Sequence, residues 1–192
     1  LGFYSIKPLK GQVSNINNWI KLKMLKTVYV LIGPKGSGKT YIGSILEQEV
    51  GLKFLSVEKL GLENIQESKL TGDELIIDGF HQEEDAIDKM LQRDNAVSFE
   101  STGVHPYLQN MLANLRIKYN VKLIKIYTPL TKCYERIKCR DQSLHIPISV
   151  ELLKIINESA EKVVFNWDLE LDNSEKLTIN QIASVGLALF DL

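Results

Sequence analysis

The segment Gly33-Pro34-Lys35-Gly36-Ser37-Gly38-Lys39-Thr40 constrains this chain more than any other, because it meets G-x-x-x-x-G-K-[ST] at every fixed position. Its flanks match. Thr27-Val28-Tyr29-Val30-Leu31-Ile32 is a nearly continuous apolar, β-branched run, the pattern of a strand buried on both faces in a parallel sheet. From Tyr41 to Val50, Ile42, Ile45 and Leu46 fall at helical spacing. A glycine-rich turn from strand to helix aims several backbone N–H groups inward, and the helix N-terminus adds its positive end. Such a cradle suits a polyphosphate. The expected nucleotide contacts are therefore Gly33, Lys35, Gly36, Ser37, Gly38, Lys39, Thr40 and Tyr41. Lys39 would neutralise the β- and γ-phosphates, and the Thr40 hydroxyl would hold Mg²⁺ between them. ATP and Mg²⁺ are the cofactors this motif implies. A turn that merely connects strand to helix is the alternative, and the matched flanks speak against it.

Four further strands follow in the pattern. Lys53 to Val57 reads as the second, Asn95 to Phe99 before Glu100 as the third, Val121 to Tyr127 as the fourth and Trp167 to Asn173 as the fifth. About forty acidic, mostly helical residues separate the second from the third. Helices are expected over about 130–140, over about 149–162 with Ser149 as N-cap, and over 179–190. Five strands joined by helical crossovers predict a three-layer α/β fold with a five-stranded parallel sheet and helices on both faces.

From Met24 onward the chain resembles the nucleoside-monophosphate-kinase-like branch of P-loop kinases, and in layout it is most like shikimate kinase. The likeness rests on the P-loop, on Glu135-Arg136-Ile137 to Arg140-Asp141 where that group carries its arginine-bearing lid, and on Asp168 to Asn173 near the end. It implies the strand order 2-3-1-4-5, ATP-dependent phosphoryl transfer, a lid at about 136–148, and Asn173 with Arg136 on the nucleotide side. Phe80-His81-Gln82-Glu83-Glu84 resembles the F-R-x-x-E of shikimate kinases, with His81 in the arginine's place. Glu100-Ser101-Thr102-Gly103 stands where those enzymes have three glycines. Both departures fall on acceptor recognition.

Charge points the same way. Carboxylate- and phosphate-bearing acceptors are gripped by arginine forks, yet the only arginine between Thr40 and Glu100 is Arg93, and residues 58–94 hold eleven acids against four bases. A neutral or cationic hydroxyl acceptor, or a nucleoside, fits this stretch better. A solvated acidic helix face explains many of the same residues, and His105 with Lys53, Lys59 and Lys69 keeps a phosphate-bearing acceptor in view.

Phosphoryl transfer also needs a proton acceptor. Glu100 is the first candidate, at the C-terminal end of a central strand where α/β folds place ligands. Its setting resembles the Glu of the E-R-S segment in deoxyribonucleoside kinases, with Ser101 replacing the arginine. Glu100 could equally orient the metal, or cap the turn at 101–103. Glu58, near the position of the catalytic Asp of shikimate kinases, is the second candidate. Asp78 is the third, if Leu75 to Asp78 ends a strand. Arg140 and Arg136 are the expected closers of the site, with surface pairing to Glu135 or Asp141 as the plain alternative. His145 would touch nucleotide or pin the lid, or pack beside Ile146. Asp172 and Asn173 read equally as a turn and helix cap.

Several classes are disfavoured. With 23 Lys plus Arg against 24 Asp plus Glu the chain is near neutral, and outside its first forty residues there is no basic stripe with interleaved aromatics for nucleic acid. No run approaches the length of a membrane span. Cys133 and Cys139 form neither a disulfide framework nor a metal spacing, so a cytoplasmic setting is expected. No N-K-x-D guanine motif is present, since Leu171-Asp172-Asn173-Ser174 is not one. Residues 1–23, basic and without an acid, read as an N-terminal extension to a kinase domain over 24–192. The combined reading is a kinase for a small-molecule acceptor of unknown identity. The different-class alternative is a regulatory ATP-binding module or weak ATPase.

Overall fold

A computed structural model describes residues 26–67, 69–140 and 146–189. The extension, the domain start at Met24, and His145 with the middle of the lid lie outside the described residues.

Five strands, β1 (Thr27–Ile32), β2 (Lys53–Leu55), β3 (Ala96–Ser101), β4 (Asn120–Tyr127) and β5 (Leu169–Asp172), form one sheet in the order β2-β3-β1-β4-β5. Every pairing is parallel. The expected order and fold class therefore hold. Seven described helices connect and cover the strands: α1 (Lys39–Val50), α2 (Val57–Glu67), α3 (Gly72–Leu91), α4 (Tyr107–Lys118), α5 (Leu130–Cys139), α6 (Val150–Glu161) and α7 (Ile179–Leu189).

The alternation along β1 explains its apolar run. Val28, Val30 and Ile32 enter one core with Val97, Phe99 and the α3 and α4 residues Ile87, Leu91 and Leu108. Tyr29 and Leu31 enter the other, with Ile42 and Leu46 of α1 and Ile182 of α7. Both faces are sealed, so every second residue must be apolar in each direction. Burying each such side chain contributes roughly 1.5–3 kcal/mol, which is why Val28 to Ile32 all carry large apolar side-chain bodies.

Several boundaries differ from the sequence reading. β2 is shorter, because Val57 already opens α2. β3 runs on to take in Glu100 and Ser101, pairing Leu31 with Glu100 and Ile32 with Ser101. Asp78 ends no strand: it lies within α3, where its carboxylate accepts from Gln82 Nε2 four residues on at 2.9 Å. Leu75 and Ile77 are half-buried on α3 while Ile76 is exposed, and so short an apolar run does not by itself distinguish helix from strand. Residues 136–139 form the last turn of α5. Among the described residues no helix is long and apolar enough to cross a membrane.

Candidate active site

The loop between β1 and α1 is fastened from several directions. Gly33 N–H donates to Ser101 O at 3.2 Å, tying the loop's start to the end of β3. The Ser37 carbonyl accepts from Asn173 Nδ2 at 2.7 Å and from Thr128 Oγ1 at 3.1 Å. Asn157 of α6, fully buried, clamps Lys35 at two points: Lys35 N–H donates to Asn157 Oδ1 at 2.8 Å, and Asn157 Nδ2 donates to Lys35 O at 3.0 Å. Two glycines are required by this crowding. Gly36 and Gly38 have φ of 86° and 96°, and a Cβ on them would collide with Cys133 O and with Asn173 Nδ2 respectively.

Lys39 is 8% exposed and folds back over the loop, donating to Gly33 O at 2.8 Å and Pro34 O at 2.9 Å. Burial brings its pKa down to about 8, against the opposing pull of Glu100. Thr40 Oγ1 donates to Glu100 Oε2 at 2.7 Å. Glu100 is 7% exposed, and its second oxygen, Oε1, has no partner. Desolvation raises its pKa, partly offset by Lys39 and the Thr40 hydrogen bond. The turn that Glu100 was a candidate to cap is held instead by Ser101, whose Oγ accepts from Gly103 N–H at 3.1 Å.

These groups open on a cavity of about 460 Å³. Lys35, Lys39, Thr40, Tyr41, Glu58, Glu100, Arg136 and Arg140 all line it, so most of the residues expected from sequence converge there. Glu58, at the start of α2, pairs with Lys35 at 3.3 Å. Arg136 is not a free finger. Its guanidinium donates to Asn173 O at 2.8 Å, to Ser174 O at 3.3 Å and to Ser37 O at 3.4 Å, locking the β5–α7 turn to the phosphate loop. Arg140, just past α5, reaches the cavity with its Nε unpartnered among the described residues. Asn173 is buried and serves the loop, while Asp172 accepts from Ser174 N–H at 2.8 Å in a tight turn.

Three residues escaped the sequence reading. Asn157 sits in an otherwise ordinary amphipathic helix and carries no motif. Lys176, in the left-handed region at φ 41°, also lines the cavity and lies over the Tyr41 ring at 4.9 Å. Glu83, half-buried on α3, is discussed below. His105 accepts from Tyr107 N–H at 3.2 Å at the start of α4, and the Tyr107 hydroxyl meets His81 Nε2 at 3.1 Å.

The donor set suits a hydrated divalent cation. Thr40 and Glu100 line the same cavity, a buried Glu100 oxygen is left without a partner, and the phosphates of a bound nucleotide would complete the oxygen shell. No three His, Cys, Asp or Glu side chains among the described residues form a protein-only cage.

No protein-family model matches the chain. It is 24% identical over 161 residues to the shikimate kinase of Persephonella marina, covering 79% of this chain and 92% of that protein. Among solved structures, a sugar kinase from Janibacter sp. HTCC2649 superposes with a TM-score of 0.61 at 17% identity, over 86% of this chain and 95% of that one. The shikimate kinase of Aquifex aeolicus does so with a TM-score of 0.55 at 18% identity, over 86% and 96%. The chain has the P-loop kinase fold and is shikimate-kinase-like in sequence and layout.

Proposed function

We propose that this protein is an ATP- and Mg²⁺-dependent phosphotransferase that moves the γ-phosphoryl group to a hydroxyl of a small-molecule acceptor, with residues 24–192 as its catalytic domain. The observation that carries this reading is the pairing of Thr40 and Glu100 at 2.7 Å beside the phosphate loop, with Glu100 lining the cavity and its buried Oε1 without a partner.

In this reading the backbone of Gly36, Ser37, Gly38 and Lys39 receives the β- and γ-phosphates. Lys39 leaves the Gly33 and Pro34 carbonyls and turns its ammonium to them, so its two present acceptors act as placeholders for phosphate oxygens. Mg²⁺, when bound, spreads the charge of the phosphates, and Thr40 Oγ1 with Glu100 would hold its coordination shell. Glu100 Oε1 accepts the proton of the acceptor hydroxyl as the oxygen attacks; a carboxylate with a raised pKa is suited to that task. Glu58 is the reserve base, held by Lys35. Arg140 offsets the charge on the group in flight, and Arg136, Tyr41 and Lys176 form the nucleotide end, with Asn173 behind the loop on the Ser37 carbonyl. Both cysteines are free thiols, which suits a reducing cytoplasm.

The test is transfer from labelled ATP with Mg²⁺ to pooled nucleosides, sugars, amino alcohols and shikimate, with Lys39→Ala and Glu100→Gln beside it. Phosphorylated product lost in both variants supports the reading. Bound ATP with every acceptor unlabelled would favour a regulatory module or weak ATPase, and transfer surviving Glu100→Gln would move the base to Glu58.

A further inference from the structure

In the kinase reading Glu58, Glu100 and Arg140 serve the acceptor end of the cavity, so the nucleoside must leave the phosphate loop on another side. Tyr41 marks that side. It follows Thr40 in the first turn of α1 and lines both the main cavity and a second hollow of about 440 Å³. The rest of that hollow is walled by Lys176 to Asn180, the end of the β5–α7 turn and the start of α7. Lys176, like Tyr41, belongs to both spaces, which therefore adjoin at this pair.

The Lys176 ammonium lies over the Tyr41 ring at 4.9 Å and has no other partner among the described residues; the neighbouring acid, Glu175, pairs with Lys132 instead. Its backbone is also strained. A φ of 41° is costly for any residue with a Cβ and persists only where the surroundings impose it. Here they do: Asn173 O accepts from Lys176 N–H at 3.2 Å, and Asn173 Oδ1 from Leu177 N–H at 2.8 Å. The same Asn173 holds the Ser37 carbonyl of the phosphate loop at 2.7 Å, so one buried residue sets Lys176 in register with the phosphate cradle. Tyr41 is held from behind, since it and Leu177 pack against the core on that side of the sheet. A fixed ring covered only by an exposed ammonium offers its face to a planar heteroaromatic ring, because a cation–π contact in water is weak and easily exchanged.

We propose that Tyr41 and Lys176 select the base of the nucleotide: a purine takes the face of Tyr41 that the ammonium now covers, and Lys176 then donates to the purine's N7 and position-6 edge. An ammonium has three donors and no acceptor. A 6-oxo purine shows it two acceptors side by side, N7 and O6, whereas adenine pairs N7 with a donating amino group. The donor class is therefore the purine nucleoside triphosphates, with a 6-oxo purine held at least as tightly as adenine. Lys176 is the specificity residue, and Tyr41 supplies affinity common to both bases.

This inference rests on the nucleotide-binding part of the kinase reading, so its test needs no turnover. The full chain with Mg²⁺ is titrated calorimetrically with ADP, IDP and pyrophosphate; IDP differs from ADP only at the position-6 edge, and pyrophosphate carries no base. Both nucleotides should bind at least tenfold more tightly than pyrophosphate, and IDP no more weakly than ADP. Lys176→Met should cost IDP at least five times the affinity that it costs ADP and leave pyrophosphate unchanged, while Lys176→Arg keeps the preference. Tyr41→Leu should weaken both nucleotides at least tenfold, and Tyr41→Phe should retain them. Tighter binding of ADP than of IDP overturns the proposal, as does an ADP-to-IDP ratio indifferent to Lys176→Met. Pyrophosphate binding that falls in Lys176→Met also overturns it, since Lys176 would then be reading phosphate. Base selection in a chain that transfers phosphate to no acceptor leaves this site standing and defeats the kinase reading.

Discussion

The two ends of the cavity are built on opposite principles. Around the phosphate loop most polar groups are spoken for, the buried Ser37 Oγ excepted: the Ser37 carbonyl has three donors, Lys35 is clamped by Asn157, and Lys39 is folded onto two carbonyls. Around the acceptor end, Glu100 Oε1 and Arg140 Nε lack partners among the described residues. Buried polar atoms normally find partners, so the contrast separates preformed binding from chemistry that a ligand must complete. A loop that meets the same triphosphate in every cycle gains from rigidity. Groups that act only on a bound acceptor keep their hydrogen-bonding capacity open.

Breaking the rigid end should have the largest effect. Lys39→Ala removes the cation that meets the transferred phosphoryl group, and transfer is expected to fall about a thousandfold. The structure should survive, because the lost hydrogen bonds go to carbonyls at the loop's edge; single-turnover rates together with circular dichroism check both parts. Arg140→Ala acts at the open end, where the Arg140 Nε has no partner among the described residues. A drop of about a hundredfold in kcat with little change in ATP affinity is expected. A rise in the ATP KM alone would mean that Arg140 binds nucleotide without assisting transfer.

Asn157 tests the comparison from the side of architecture. Asn157→Leu keeps the volume but strips both partners from Lys35, leaving a buried N–H and C=O unsatisfied at a cost of about 2 kcal/mol. The ATP KM should rise about tenfold with kcat less affected, since a loosened loop binds phosphate poorly but reaches the same transition state once filled. Asn157→Asp retains the acceptor for Lys35 N–H and should fall between. An unchanged KM in both would show that the clamp holds the fold and not the cradle.

The same contrast explains what could be read in the sequence. The loop was legible because its requirements are local: positive φ at Gly36 and Gly38, N–H groups in series, and a lysine at a fixed offset. The sheet was legible because two-sided burial forces unbroken apolar runs. Glu100 followed from its place at a strand end. Asn157 and Lys176 did not, since each acts across 122 and 135 positions of chain, on Lys35 and Tyr41, and neither has a spacing rule. Arg136 was found, but its backbone contacts were not. An arginine four residues before another on a helix suggests a paired lid, whereas the fold turns the first inward to three backbone carbonyls. Glu83 lay inside a stretch of eleven acids over 58–94, where its core-facing position could be recognised only once Phe80, Ile87 and Leu91 were seen in the core.

Glu83 also offers the smallest and most diagnostic effect, one on stability alone. Its pKa is about 8 in the folded chain against 4.5 for an ordinary glutamate. Between those values the folded state holds a proton that the unfolded state has released, so stability declines as pH rises through that window. The cost is absent below about pH 4.5 and fully present above about pH 8. Glu83→Gln removes it. The variant should match the wild type in urea melts at acidic pH and exceed it by about 2 kcal/mol near pH 9, the full shift being reduced because Glu100 titrates in the same field. A difference that stays constant with pH would mean that Glu83 finds a cation within the folded chain.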